Sequence, residues 1–283
     1  MTIERDKTAE LRAVATDLDG TLLNGSGQVS ERDLTTLKRL GEEGVLRVIA
    51  TGRNLFSFRK VISVDFPIDY VVFSSGAGSM EWPTQRLLTR ETIPGSQVRL
   101  ICERLIRMNL DFMVHQPIPK NHFFEYHQSS LKNADFERRL QLYRCFHQRL
   151  QAQGQQFGPA TQIIVIAGNT PSSFDRLQMA LAGFKVIRTT SPLDHHSLWI
   201  EIFPDQVSKS QGVQKICEWK DISSDQVLAV GNDYNDLDLL KWAGRATVVS
   251  NAPEVLKEDF QTVTCHNQHG FSAAVDSVLD SKN

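Results

Sequence analysis

Residues 1–82 and 199–283 of this 283-residue chain share one rhythm, and it constrains the fold more than any other feature. A short apolar run is followed by a polar or glycine-marked turn, then by apolar residues at helical spacing. Leu11–Thr16, Val45–Ala50 and Tyr70–Phe73 read as buried strands. Ser30 opens a helix, with Asp33 three residues on and Leu34, Leu37 and Leu40 along one face, and Gly44 breaks it. A second helix starts near Asn54. The same alternation returns at the other end of the chain. It runs through a strand at Leu198–Phe203, a helix from Lys209, a strand at Val227–Val230, a helix from Asn235, a strand at Ala246–Val249 and a helix at Phe271–Leu279. Strands that alternate with helices call for a parallel sheet with helices on both faces, because every parallel pairing needs a crossover.

After Trp82 the rhythm changes. Longer helical patterns cover Gln97–Met108 and Asp135–Gln151, and strand patterns cover Asp111–His115, Gln162–Ala167 and Phe184–Thr189. Pro171-Ser-Ser-Phe174 reads as a helix start, and Gln151–Gln156 as a polar loop. The simplest parse is one α/β domain in two parts, 1–82 and 199–283, interrupted by a second α/β domain at 83–198.

Composition narrows the classes without naming a chemistry. A hydrophobic fraction of 41% supports a sizeable core, which excludes wholesale disorder. With 31 Lys plus Arg against 33 Asp plus Glu, no basic surface recommends a nucleic-acid partner. Ile163–Ala167 is typical of the longest apolar runs, well short of the roughly 20 residues that span a bilayer. Met1–Glu10 is charged and carries no apolar h-region, so no secretory signal is expected. Cys102, Cys145, Cys217 and Cys265 stand far apart, which fits reduced thiols in the cytoplasm better than zinc or a disulfide framework.

Chemistry concentrates at the ends of the strands. Asp17-Leu-Asp-Gly-Thr21 follows the first one, where open α/β sheets bind ligands. Two carboxylates two residues apart can divide the labour of a nucleophile and a proton carrier. A calcium loop beginning at Asp17 would need Gly and Glu where Leu22 and Gln28 stand. A metal-binding pair of a nucleotide-sugar transferase, or a plain acidic turn, stays open for the isolated segment. Thr51-Gly-Arg53 ends the second strand ahead of a helix, and its hydroxyl and main-chain N–H groups suit an anion. Lys209 opens the helix after the Leu198–Phe203 strand; alone it reads as a surface lysine. Gly231-Asn-Asp-Tyr-Asn-Asp236 follows the Val227–Val230 strand and offers oxygen ligands for a hard cation, or simply a helix cap.

Taken in order, Asp17-x-Asp19-Gly-Thr21, Thr51-Gly-Arg53, Lys209 and Gly231-x-x-x-Asn235-Asp236 resemble the four motifs of the haloacid dehalogenase superfamily. The branch it most resembles is the Cof-type phosphatases with a class IIB cap. It is also similar to mannosyl-3-phosphoglycerate and sucrose phosphatases. Ser75-Gly-Ala-Gly78, Asn251-Ala252 and Asn267–Phe271 are similar to the same branch. The resemblance implies a Rossmann-like three-layer core with a parallel sheet and an inserted α+β cap. It implies a phosphatase in which Asp17 attacks phosphorus and is transiently phosphorylated. Asp19 would protonate the leaving oxygen and then deprotonate water. Thr51, Gly52, Arg53 and Lys209 would hold the phosphoryl group. Mg²⁺ would sit on Asp17, the Asp19 carbonyl and the fourth motif, with Asn235 in support. The expected substrate is a small phosphorylated metabolite, a phosphosugar favoured, and the expected protein is a monomer or small homo-oligomer away from nucleic acid and membrane. A phosphomutase, or a non-catalytic sensor of a phosphometabolite, are the alternatives. The inserted cap would read the substrate. In it, His122-Phe-Phe-Glu-Tyr-His127 is either a ring-reading cluster or, more simply, packing, and His195-His196 is hinge surface.

One position departs from the motif. Where the family carries Asp directly after the glycine, this chain has Asn232, with Asp233 next. Asn232 can ligate as a neutral oxygen, Asp233 can rotate in, or Asp236 can hold ligand waters from behind. The favoured arrangement puts Asn232 on the cation with Asp236 supporting it. The expected Mg²⁺ affinity is therefore modest, and Asn232→Asp raises it. Metal titration of both proteins tests this, and an unchanged affinity takes Asn232 off the metal.

Overall fold

The computed structural model describes residues 9–151, 156–167, 172–191, 193 and 196–279. Three sequence readings fall partly outside them: the loop centred on Gly154, the helix start at Pro171 and the imidazole of His195. The chain divides into two compact units, one built from the residues up to Thr89 and from Ser208 onward, the other from Arg90–Val207.

The first unit begins with β1 (Ala13–Thr16), α1 (Glu31–Glu42), β2 (Leu46–Ala50), the single turn α2 (Leu55–Phe58), β3 (Tyr70–Phe73), β4 (Gly78–Glu81) and β5 (Arg86–Arg90). In the second unit α3 (Gly95–Arg107), β6 (Asp111–His115), β7 (Phe124–His127), α4 (Ala134–Leu142), β8 (His147–Arg149), β9 (Gln162–Ile166), α5 (Ser172–Ala180), β10 (Phe184–Thr190) and β11 (Leu198–Pro204) follow. The chain then returns to the first unit through α6 (Lys209–Trp219), β12 (Val227–Gly231), α7 (Leu237–Trp242), β13 (Arg245–Val249), α8 (Glu254–Asp259), β14 (Gln261–Val263) and α9 (Gly270–Leu279).

Among the described residues the first unit holds an eight-stranded sheet in the order β14-β13-β12-β1-β2-β3-β4-β5. It is parallel from β14 through β3, and β4 turns back antiparallel on β3. The central strands are apolar on both faces, as a doubly covered parallel sheet requires. One face packs Ala13, Ala15, Val48 and Ala229 against Val213, Ile216 and Cys217 of α6 and Leu239 and Leu240 of α7. On α1, Ser30 accepts the Asp33 N–H at 3.1 Å, as the helix-start pattern anticipates. The Asp33 carboxylate then takes Ser272 N at 3.0 Å and Ser272 Oγ at 2.6 Å, which ties the start of α1 to the start of α9.

The second unit holds a six-stranded sheet, β10-β11-β9-β6-β7-β8. Its helices α3 and α5 cover Phe112, Val114, Ile163, Val165, Ile200 and Ile202. On the opposite face α4 lays Arg139 over the Tyr143 ring at 4.0 Å, and Asp135 accepts Trp199 Nε1 at 2.6 Å. The His122–His127 segment is a strand with its approach. Phe124 is buried against His115, Tyr143 and His147, which is the packing reading. His115 is neutral, because burial and then the Arg139 charge push its pKa down to about 3.

The structure corrects three expectations. Leu198–Pro204 pairs antiparallel with β10 and β9 in the second sheet, so the first rhythm resumes at α6 and not at residue 198. A strand buried on both faces looks the same in either sheet, and only its partners decide. The expected helix over Asp135–Gln151 stops at Leu142, and His147–Arg149 pairs in parallel with β7. That strand is short and polar and has no pattern of its own. After β3 the chain continues into β4 and β5, so the first unit runs to Thr89 instead of ending at residue 82.

The turn between β3 and β4 is strained. Ser74 and Ser75 have φ values of 49° and 54°, and Gly76 follows at 105°. Such non-glycine residues cost about 1 kcal/mol each and persist only when their surroundings hold them. Here Ser74 N donates to Arg53 O at 2.8 Å and Ser75 N to Thr51 O at 3.0 Å. A Cβ on Gly76 would overlap the Ser208 carbonyl, at the residue that caps α6. Gly76→Ala is therefore expected to destabilise the protein by about 1–3 kcal/mol, read as a lower thermal midpoint.

Candidate active site

Four chain segments end at one edge of the first unit's sheet. Asp17 leaves the central strand β1, its N–H donating to Val230 O of β12 at 2.8 Å. Thr51 leaves β2, and Gly231–Asp236 leaves β12, the two neighbours of β1. Lys209 is the first residue of α6, whose start is fixed by the Ser208 side chain accepting Gln211 N–H at 3.2 Å.

The centre is an ion triad. Lys209 Nζ donates to Asp17 Oδ1 at 2.6 Å and to Asp236 Oδ1 at 2.7 Å, with Asn235 Oδ1 at 3.4 Å. All three charged side chains are buried. Burial works to lower the Lys209 pKa, but the Asp17 and Asp236 carboxylates outweigh it and raise it, so the ammonium is permanent. Burial pushes Asp17 up to about 7; Lys209 pulls it down, while the Asp236 and Asp19 charges add to the rise.

Asp236 is used on both oxygens. Its Oδ2 accepts Asn232 N at 2.9 Å and Asp233 N at 3.1 Å, so it braces the turn from behind and does not face outward. Gly231 permits this, since a Cβ there would lie 2.7 Å from Asp236 Cβ. Asp233 Oδ1 accepts Tyr234 N at 2.8 Å, the geometry of a cap on the short turn that follows.

Asn232 projects inward instead. Its amide reaches Asp17 Oδ2 at 3.2 Å, the Asp19 carbonyl at 3.1 Å and Thr21 Oγ1 at 3.1 Å. Gly20, at φ 75°, gives it room: a Cβ would come within 2.7 Å of that amide. Among the described residues no three His, Cys, Asp or Glu side chains gather as metal ligands. The oxygens that do converge belong to one carboxylate, one main-chain carbonyl and one amide. That donor set is all hard oxygen, the kind Mg²⁺ takes, with little charge to hold it.

The Thr51 hydroxyl is buried and accepts Arg53 N–H at 3.1 Å, which leaves its own hydrogen for an acceptor. Gly52 passes between Ser75 Oγ and Asn235 Nδ2, which would lie 3.5 and 3.7 Å from a Cβ. Arg53, read from the sequence as a phosphate contact, forks the Asp19 carboxylate: Nε to Oδ2 at 2.7 Å and Nη2 to Oδ1 at 2.6 Å. Its Nη1 donates to Ser57 O at 3.2 Å. The helix after it is one turn long, and Asn54 already takes the Ser57 N–H, so little anion-binding N–H remains there.

Asn251, outside the sequence-expected site residues, holds the loop after Asp19. Its Nδ2 donates to Gly20 O at 2.9 Å while its Oδ1 accepts His266 N at 3.2 Å. Asn267 Oδ1 takes Gly25 N at 2.7 Å on the same loop. An Asn following the last long core strand is the one sequence sign of this role.

Removing the ammonium should leave two carboxylates buried and facing each other. Lys209→Met is expected to lose about 3–5 kcal/mol of stability, measured by denaturant unfolding, beyond any effect on activity.

The chain matches the haloacid dehalogenase-like hydrolases over residues 14–274. Over 96% of this chain and 99% of the relative, it is 25% identical to the 5-amino-6-(5-phospho-D-ribitylamino)uracil phosphatase YwtE of Bacillus subtilis strain 168. In fold it is similar to BT1666 from Bacteroides thetaiotaomicron, a phosphatase of the haloalkanoate enzyme superfamily, with a TM-score of 0.77 at 19% identity over 95% of both chains. It is likewise similar to the subclass IIB sugar phosphatase BT4131, with a TM-score of 0.73 at 16% identity over 94% of this chain and 98% of that one. Among the described residues no helix is long and apolar enough to cross a membrane. With the match covering nearly the whole chain, this protein belongs to the haloacid dehalogenase-like hydrolases.

Proposed function

We propose that this haloacid dehalogenase-like phosphatase hydrolyses a small phosphomonoester, a phosphosugar by preference, through a phosphoaspartate on Asp17. The observation that carries the reading is the Asp17 carboxylate, with Oδ1 held by the buried Lys209 and Oδ2 turned to the Asn232 amide. A carboxylate held on both oxygens at the mouth of a parallel sheet is fixed in place to meet an incoming phosphorus.

Asp17 forms the bond to phosphorus as the bond to the leaving oxygen breaks, and the leaving oxygen takes its proton from Asp19. Water then attacks the phosphoaspartate, giving its proton to Asp19, and inorganic phosphate leaves. Both Asp19 oxygens accept from Arg53, so one of these bonds must open before Asp19 carries the proton, and the other keeps it oriented. Lys209 and the Thr51 hydroxyl stabilise charge on the transferring group, the main task in phosphoryl transfer. Mg²⁺ fits the oxygens of Asp17, the Asp19 carbonyl and Asn232, and when bound supplies the charge that keeps Asp17 ionised and lets it approach a phosphate dianion.

Two named relatives guide the substrate class. One acts on a phosphorylated ribityl chain and the other is a sugar phosphatase. Both names describe a phosphate ester on a polyhydroxylated carbon chain, which supports a phosphosugar here.

A screen of phosphorylated metabolites for phosphate release, with and without Mg²⁺, tests the reading. Wild type should release phosphate only with Mg²⁺, and Asp17→Asn should lower turnover by roughly 10³-fold or more. Isomer exchange without release would instead indicate a mutase, and binding without release a sensor.

A further inference from the structure

The Asn232 amide touches the Asp19 carbonyl, which can only accept a hydrogen bond, Asp17 Oδ2, which accepts when the carboxylate is ionised, and one hydroxyl, Thr21 Oγ1. An amide has a donor end and an acceptor end of nearly equal size, so one torsion decides which end faces them. With nitrogen inward it donates to Asp17 Oδ2, Asp19 O and Thr21 Oγ1 at 3.2, 3.1 and 3.1 Å. With oxygen inward it accepts from Thr21 Oγ1 at 3.1 Å and joins the other two oxygens in a set that only a cation can reconcile. A carboxylate at this position has no donor end.

The charges around it make the difference matter. Among the described residues Lys209 pairs with Asp17 and Asp236, and Arg53 with Asp19, so three carboxylates face two cations. An aspartate at 232 would set a further carboxylate against Asp17 Oδ2.

We propose that Asn232 stands in for the cation. Without metal its N–H groups hold Asp17 Oδ2 and the Asp19 carbonyl in their working positions; with Mg²⁺ the amide turns and offers its oxygen. This rests on the reading above that the cation sits among these three groups. The consequence is a site that keeps its nucleophile ordered without metal, at the cost of holding metal weakly. Metal affinity and metal-free stability should then move in opposite directions when the amide becomes a carboxylate.

The test compares the full-length wild type with Asn232→Asp and Asn232→Ala, by calorimetric titration with Mg²⁺ alone and by thermal unfolding in chelator and in Mg²⁺. Asn232→Asp should bind Mg²⁺ about tenfold more tightly or better, since ligand charge sets affinity at such sites. It should also melt below wild type in chelator and gain more from Mg²⁺. Folding of this variant only in Mg²⁺ is the same result in its extreme form. Asn232→Ala loses both ends of the amide and should show weaker Mg²⁺ binding together with a lower midpoint in chelator. If Asn232→Asp melts at or above wild type in chelator, or Asn232→Ala melts unchanged, the stand-in role is overturned while the metal site survives. If neither wild type nor Asn232→Asp binds Mg²⁺, the underlying metal reading falls, and the stand-in with it.

Discussion

A buried ammonium held between two carboxylates organises this site. Lys209 lies 2.6 Å from Asp17 and 2.7 Å from Asp236, with no exposed surface on its own side chain. Taking such a group out of water costs several kcal/mol, and it is recovered only if both partners arrive in place. The surrounding architecture serves that requirement. Asp17 comes from the central strand, Asp236 folds back across Gly231 from the neighbouring one, and Ser208 fixes where α6 begins.

Strain and hydrogen bonding then hold the remaining groups around the triad. The left-handed Ser74 and Ser75 donate to the carbonyls of Arg53 and Thr51, which ties the second segment to the turn after β3. Gly76 packs against the Ser208 carbonyl, which links that strained turn to the start of α6. Asn251 and Asn267 pin the loop after Asp19 from the far side. Each contact joins residues far apart in the chain. The result is that three carboxylates and two cations are held together within one cluster at the strand ends.

The chain positions of the site were legible because each follows an apolar strand and carries chemistry that such a position rewards. Asp17, Thr51 and the Gly231–Asp236 segment stand out in this way, and Lys209 gains meaning only in their company. The roles within the set were less legible. Arg53 and Asp19 are 34 residues apart, and nothing in either segment announces that the guanidinium will fork the carboxylate. The sequence favours Asp236 over Asp233 as support for Asn232 without showing how either is used; the turn takes Asp233 as a cap and Asp236 as a brace.

Read alone, the sequence determined the layered α/β class and put its candidate site residues at strand ends, because periodicity and turn residues are local properties. Only the tertiary structure decided the rest. It assigned Leu198–Pro204 to the second sheet, made a strand of His147–Arg149, and turned Asn232 inward while Asp236 faced Lys209. Strand partners and side-chain direction depend on residues distant in the chain, so no window of sequence contains them.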